Sequence, residues 1–254
     1  MKTKLFLQKR TPLLYAIIFL LFTLSCGTGK DKSAGTTLSG KAVIEKEGND
    51  WIFLFNGTTT KGWRGFNQET LPESWIIEDG LLKSLGAGGD IGGDIVYGAM
   101  KFEDFELYWE WKISKGGNSG VFYHVVEGEQ YSAPYENAPE YQVLDDPHYV
   151  AQVDENQLTA SDYSMYTASL ETKKLKPVGE WNTSRIIFTK AKVEHWLNGD
   201  KLLEFVPWSK DWNERRNSEK WKDYPDYGKA KKGYIGLQDH GSLVWFRNIK
   251  IKKL

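Results

Sequence analysis

The sequence predicts an all-β sandwich, and three observations lead to this fold class. Apolar and polar residues alternate over many short segments, which is the pattern of half-buried strands. Glycine-rich turns separate these segments, and the helical period is nearly absent from the 254 residues. The chain also has 11 Trp, 13 Tyr and 12 Phe residues, which are enough for a large apolar core. Many short strands joined by such turns indicate a sandwich or a barrel.

The N-terminal segment is typical of a secretory signal. Basic residues within 2–10 precede an apolar run over 13–22, which is too short for a membrane span of about 20 residues. Cys26 follows this run and is the only cysteine, so it has no internal disulfide partner. We therefore expect residues 1–25 to be a signal peptide and Cys26 to be the acylated first residue of an exported lipoprotein. Acylation would hold the protein at an envelope membrane, facing the periplasm or the cell surface. An ordinary signal peptide with an incidental Cys26 is the alternative.

The next segment, residues 26–43, is predicted to be a flexible tether. Gly, Ser, Thr and Lys dominate it, and it has little apolar content. The remaining residues, 44–254, suit a single β-sandwich domain. The net charge of -1 argues against binding to nucleic acid, which requires a basic face.

Eleven segments of the mature chain are predicted to be strands. They cover residues 51–55, 74–78, 80–84, 105–113, 121–125, 140–144, 185–189, 192–197, 201–205, 234–238 and 243–251. Asn198-Gly199 predicts a two-residue type I′ turn between two of them. Only 209–222 is compatible with a short helix, and its many charges predict a position on the surface.

Most aromatic residues are expected to lie in the core, because they follow the strand alternation. The clearest examples are Trp109, Trp111, Trp181, Trp196 and Trp245. Trp63 and Trp208 are candidates for stacking on a sugar ring instead.

Polar residues inside the predicted strands indicate a candidate site. Glu140 and Gln142 project from the same face of one strand, and Asn118 and His124 share a face of another. A carboxylate and an amide that point the same way fit a sheet face that holds sugar hydroxyls. A solvated outer face is the alternative for Glu140 and Gln142, and a structural histidine is the alternative for His124.

The end of a third strand adds two further candidates. Gln238 and His240 share a face there, and a histidine before a glycine at a strand end is well placed for a site. The sequence has no P-loop, no cysteine pair and no His-Glu-x-x-His motif. We therefore predict neither a metal nor a cofactor.

Six stretches in consistent order resemble the 3-keto-disaccharide hydrolase family, and the resemblance covers residues 49–254. The stretches are residues 53–57 with 62–63, 117–121, 140–145, 177–182, 193–199, and 236–241 with 246–249. The resemblance implies a concanavalin A-like jelly roll of two curved antiparallel sheets. It also implies an exported lipoprotein that cleaves glycosides whose sugar carries a ketone at C3. One departure is His124, where we expect relatives to carry Arg.

The implied chemistry begins at C2, because a ketone at C3 acidifies the hydrogen there. A base removes that proton, the leaving group departs from C1 by β-elimination, and water can add back. Such an enzyme needs a base, an acid, and donors or a cation for the enediolate oxygens. The three polar strand faces make Glu140 and His240 the predicted catalytic pair for this chemistry, with His240 favoured as the base. The predicted substrate-binding residues are Gln142, Asn118, His124 and Gln238.

Two other readings of the site remain open from the sequence. The same sandwich can serve as a non-catalytic, lectin-like module that binds glycans through Glu140 and Gln142. A conventional glycosidase would pair Glu140 with a second acid such as Asp145. Strand alternation sends these two side chains to opposite faces, which counts against that pair.

Overall fold

The computed structural model describes residues 46–47, 50–89 and 93–254, and fourteen strands lie within them. The strands are β1 (Lys46–Glu47), β2 (Trp51–Phe55), β3 (Trp63–Gly65), β4 (Trp75–Glu78), β5 (Leu81–Ser84), β6 (Ile95–Tyr97), β7 (Phe105–Ile113), β8 (Asn118–Val125), β9 (Glu140–Leu144), β10 (Asn182–Phe188), β11 (Val193–Leu197), β12 (Asp200–Phe205), β13 (Tyr234–Leu237) and β14 (Val244–Lys253). The predicted signal peptide, the predicted tether and Cys26 lie outside the described residues.

The strands form two antiparallel sheets that pack face to face. One has nine strands, with β1-β2-β14-β7-β10-β11-β12 in order and the β4-β5 pair joined to β14. The other has five strands in the order β3-β6-β13-β8-β9. The predicted all-β jelly-roll sandwich is therefore confirmed. The predicted type I′ turn is confirmed as well, since Asn198 and Gly199 have φ values of 51° and 93°.

Helical structure is confined to one α-helix and three 3₁₀ helices in the described part of the chain. These are α1 (Lys210–Arg216) and the 3₁₀ segments Pro134–Glu136, Glu155–Gln157 and Glu219–Asp223. The helix α1 begins where the Ser209 hydroxyl accepts a hydrogen bond from the Trp212 N–H at 3.1 Å. The predicted helix is thus confirmed. Its predicted position on the surface is only partly correct, because Trp212 and Trp221 are buried. No described helix combines the length and the apolar character needed to cross a membrane.

The core between the sheets follows the predicted alternation in β7, where Trp109 and Trp111 are fully buried. The prediction was wrong for three tryptophans, which are half-buried on the outer face of the nine-stranded sheet: Trp181, Trp196 and Trp245. The reason is clearest in β14, where Val244 and Phe246 point inward and the residue between them must point outward.

The five-stranded sheet is covered on both faces, and this cover creates the site. Every residue of β8 and β9 is buried. Their inward side chains join the main core, whereas Phe122 packs on the other face against Val96 and Ala138. Polar groups on this second face are therefore removed from water. Their hydrogen-bond partners and their charge states then determine the properties of the site.

A β-bulge in β8 overturns the predicted position of His124. Its φ is 58°, and the pairing of β8 with β13 shifts at this point. The extra residue reverses the alternation, so His124 no longer shares a face with Asn118. Its ring instead lies 4.4 Å from the Phe188 ring, and Nε2 is 2.8 Å from the carbonyl oxygen of Glu103. Burial lowers the pKa of His124 to about 4, as expected for a neutral core histidine.

Candidate active site

A pocket of about 230 Å³ lies on the covered face of the five-stranded sheet. It is lined by Asn118, Tyr135, Glu140, Gln142, Tyr163, Lys220, Tyr224, Gln238 and His240. The structure thus brings together five of the six residues predicted for catalysis and substrate binding, and it leaves out His124. Their roles stay a prediction. The volume is just below the usual range for ligand pockets, about 300–1,000 Å³, which suits a single small ring with the rest of a larger ligand outside.

The register of β8 and β9 places the Glu140 side chain over a glycine. Phe122 pairs with Glu140, and Gly120 pairs with Gln142. A Cβ atom at Gly120 would lie 2.6 Å from Cδ of Glu140 and 2.8 Å from its Cγ, closer than packed atoms approach. The missing side chain at position 120 therefore provides the space that the Glu140 carboxyl occupies.

Glu140 is the electrostatic centre of the pocket. Glu140 is only 4% exposed, and burial raises the pKa of its carboxyl to about 8. The charge of Lys220 opposes this rise, while Asp94 and Asp162 add to it. Within the described residues, Oε1 of Glu140 has no hydrogen-bond partner. Glu140 therefore keeps its proton near neutral pH and has an oxygen free for a ligand hydroxyl.

The amide side chains of the pocket offer two more acceptors. Oε1 of Gln142 and Oε1 of Gln238 are buried and likewise lack a partner in the part of the chain that is described. The Gln142 amide donates to Oδ1 of Asn118 at 3.3 Å, and the Asn118 amide donates to Oη of Tyr149 at 3.2 Å. Unpaired oxygens backed by such a chain suit a ligand with several hydroxyl groups.

His240 is held at the edge of the pocket by its neighbour Asp239. The Asp239 carboxylate is buried and accepts N–H bonds from Gly88 at 2.9 Å and Gly241 at 3.1 Å. The Asp239 N–H in turn donates to Oδ1 of Asp94 at 2.8 Å. His240 itself is only partly buried and lines the pocket, while its backbone is fixed by these neighbouring bonds.

Four pocket residues escaped the sequence analysis, namely Tyr135, Tyr163, Lys220 and Tyr224. They lie in loops and 3₁₀ segments, where no periodicity shows which side chains point together. The available signal was the loop-rich stretch around β9, since long loops on a rigid sandwich often carry function. Neither predicted stacking residue lines the pocket. The Trp63 indole donates to the carbonyl oxygen of Leu54 at 2.7 Å, and the Trp208 indole donates to that of Gly228 at 3.0 Å.

Asp145 lies apart from the pocket and is used in a turn. Its carboxylate accepts from the Gly116 N–H at 2.7 Å and lies 3.0 Å from Nδ1 of His148. This engagement removes Asp145 as the second acid of a conventional glycosidase. No group of three or more His, Cys, Asp or Glu side chains is arranged to hold a metal ion in the described chain. The prediction that the site uses neither a metal nor a cofactor stays a prediction.

Comparison with known proteins assigns this sandwich to a family. A family model described as a 3-keto-alpha-glucoside-1,2-lyase-like domain matches residues 50–252. The chain belongs to this family. The resemblance identified in the sequence is therefore confirmed over nearly all of the described residues.

The chain is also similar to individual proteins from Bacteroides thetaiotaomicron and Parabacteroides distasonis. One from Bacteroides thetaiotaomicron, named 3-keto-disaccharide hydrolase, is 41% identical over 234 residues, which are 82% of this chain and 80% of the relative. A crystal structure of a candidate glycosyl hydrolase from Parabacteroides distasonis has 43% identity and a TM-score of 0.74, covering 80% of this chain and 94% of that one. Another structure from that organism has 26% identity and a TM-score of 0.59, covering 81% and 84%.

Proposed function

We propose that this protein cleaves the glycosidic bond of 3-keto-glycosides, including 3-keto-disaccharides. The family and the 41% identical hydrolase support a glycoside-cleaving enzyme. The observation that carries the specific proposal is the composition of the pocket. Among the described residues that line it, Glu140 is the only carboxyl group and His240 is the only histidine, beside one lysine and three tyrosines. An oxocarbenium mechanism uses two carboxyl groups, whereas elimination from a keto sugar requires one acid and one base.

The proposed reaction begins with His240, which takes the proton from C2 of the keto sugar. The electrons of the C2–H bond form an enediolate with the C3 carbonyl. As the carbonyl re-forms, a C1–C2 double bond forms and the bond from C1 to the leaving oxygen breaks. Glu140 gives its proton to that oxygen. Water then adds across the C1–C2 double bond: its hydroxyl bonds to C1 while its other proton passes to Glu140, and His240 returns a proton to C2, which completes a net hydrolysis.

The two proton-transfer roles follow from the surroundings of each group. Burial keeps the Glu140 carboxyl protonated near neutral pH, so it begins the reaction as an acid. His240 lies at the more open edge of the pocket, and histidine is the side chain most often used as a general base. Gln142, Gln238 and Asn118 are proposed to bind the hydroxyl groups of the sugar.

A paired assay tests the proposal. The mature protein is incubated with a glucoside and with the same glucoside oxidised at C3, and we expect cleavage of the keto form alone. His240→Ala should lower that turnover about a hundredfold, on the usual scale for a general base. His148→Ala is the matched control, because His148 is also partly exposed but lies outside the pocket. Cleavage of the unoxidised glucoside would favour a conventional glycosidase, and binding without cleavage would favour a lectin-like module.

We also propose that Cys26 is acylated and anchors the protein in the cell envelope. The basic segment, the apolar run and the position of the single cysteine support this location. In cell fractionation, the Cys26→Ala variant should move from the membrane fraction to the soluble envelope fraction. A variant that stays as membrane-bound as the parent contradicts the anchor without affecting the proposed chemistry.

A further inference from the structure

Lys220 reaches the pocket from outside the strands that carry Asn118, Glu140 and Gln142. It belongs to the 3₁₀ helix Glu219–Asp223 and lines the pocket together with Glu140 and His240. Its ammonium nitrogen lies 4.6 Å from the centroid of the Tyr163 ring and 5.3 Å from that of Tyr135. Both rings also line the pocket. The positive charge is therefore held against the aromatic wall of the site rather than directed away from it.

The backbone that carries Lys220 is fixed by its neighbour. Trp221 is buried, its ring stacks on that of Tyr227 with centroids 3.5 Å apart, and its indole N–H donates to the carbonyl oxygen of Ser164 at 3.1 Å. The adjacent Tyr163 donates its backbone N–H to the carbonyl oxygen of Glu140 at 2.9 Å. These contacts tie the Lys220 segment to β9, and hence to the catalytic carboxyl.

The electrostatics agree with this placement. The charge of Lys220 is the largest influence that lowers the pKa of Glu140 against the effect of burial. The other ionisable groups that interact with Glu140 are Asp94, Asp162 and the phenols of Tyr163 and Tyr227. Lys220 thus supplies a positive charge that favours negative charge in the pocket, where burial strongly disfavours it.

We infer that Lys220 is a further catalytic residue, which binds the oxygen at C3 of the keto sugar and stabilises its negative charge in the enediolate. This inference rests on the proposed function. When His240 takes the proton from C2, the bonding electrons form a C2–C3 double bond and the carbonyl electrons move onto the C3 oxygen. An ammonium group beside that oxygen gains most when the charge develops, so it favours the transition state over the ground state. The charge leaves again when the C1–O bond breaks.

The test compares Lys220→Ala, Lys220→Arg and Lys222→Ala on a 3-keto-glycoside. We expect Lys220→Ala to lower kcat by about 10²-fold, the cost of losing one oxyanion partner, with a smaller change in KM. Arginine should restore part of this loss. Lys222 is the matched control, since it is an exposed lysine of the same 3₁₀ helix, as Lys220 is, but does not line the pocket. Its alanine variant should behave like the parent.

A second readout separates catalysis from a structural effect. Because Lys220 lowers the pKa of Glu140, its loss should move the alkaline limb of kcat/KM to higher pH, with an unchanged melting temperature. Parental kcat in Lys220→Ala, or a change in KM alone, would overturn the role of Lys220 while leaving the proposed function in place. A parent that fails to cleave the keto substrate would instead overturn the proposed function.

Discussion

Glu140→Gln is expected to lower turnover on a 3-keto-glycoside by at least about a hundredfold and, at alkaline pH, to raise the melting temperature. The loss of activity follows because glutamine cannot donate a proton to the leaving oxygen, and a lost general acid typically costs about 10²–10⁴ in rate. The shape of the side chain is preserved, and the space over Gly120 still accommodates it. The gain in stability follows from the burial of a carboxyl that resists ionisation.

The direction of the stability change follows from the two pKa values of Glu140. In the unfolded chain the carboxyl titrates near its ordinary value of 4.5, and in the folded protein burial raises the pKa to about 8. Between these values the unfolded chain has released its proton and the folded protein has not. The free energy of unfolding of the parent therefore falls as pH rises through this window, by about 1.4 kcal/mol per pH unit at most. Glutamine does not titrate and is exempt from this loss.

Melting curves at pH 4.5 and pH 8.5 measure this effect. The Glu140→Gln variant and the parent should melt together at the lower pH, and the variant should melt higher at pH 8.5. Exposed Glu129 provides the control, since Glu129→Gln should change neither turnover nor the pH dependence of melting. If Glu140→Gln melted lower at both pH values, the carboxyl would be a structural group rather than a catalytic one.

Gly120→Ala is expected to reduce turnover as strongly as Glu140→Gln, although no functional group is removed. The backbone at position 120 tolerates alanine, since its φ is not in the left-handed region. The added methyl group, however, would lie 2.6 Å from Cδ of Glu140. The carboxyl must move away from its position above β8, and a displacement of about 1 Å can cost about 10²-fold in rate.

The matched control for Gly120→Ala is Gly236→Ala in the neighbouring strand β13. A methyl group there would meet the Ile95 carbonyl oxygen at 3.2 Å and Phe122 at 3.4 Å, which small adjustments accommodate. Gly236→Ala should therefore keep most of the turnover, and both variants should remain folded by circular dichroism. Normal turnover in Gly120→Ala would show that the position of the Glu140 carboxyl is not critical.

The fold and about half of the pocket residues could be predicted because they depend on the two-residue alternation of side chains along a strand. Alternation in β7 and β9 specifies which side chains face the core, and pairing with β8 then brings Asn118, Glu140 and Gln142 to one face. The same rule failed at His124, because a single extra residue in β8 reverses the alternation without leaving a sequence signal. Alternation also shows which residues point together without showing which face water can reach, and Trp245 was misplaced for that reason.

Lys220 is an example of a pocket residue that sequence patterns could not predict. It lies in a charged segment that resembles ordinary solvated surface, and only tertiary contacts through Trp221 turn this segment toward Glu140. Pocket residues contributed by loops depend on such long-range contacts, which a local pattern does not contain. The three pocket tyrosines escaped prediction for the same reason.

The placement of β14 has a consequence for the order in which the protein assembles. This strand is synthesised after all the other described strands, yet it lies between β2 and β7 and also pairs with β5. The ribosome therefore releases most of the sandwich before its central ladder can form, and folding must wait for contacts of large sequence separation. Until then the chain is not closed into its folded structure. For a protein that we propose to be exported, we expect late closure to leave the nascent chain open during its passage out of the cytoplasm.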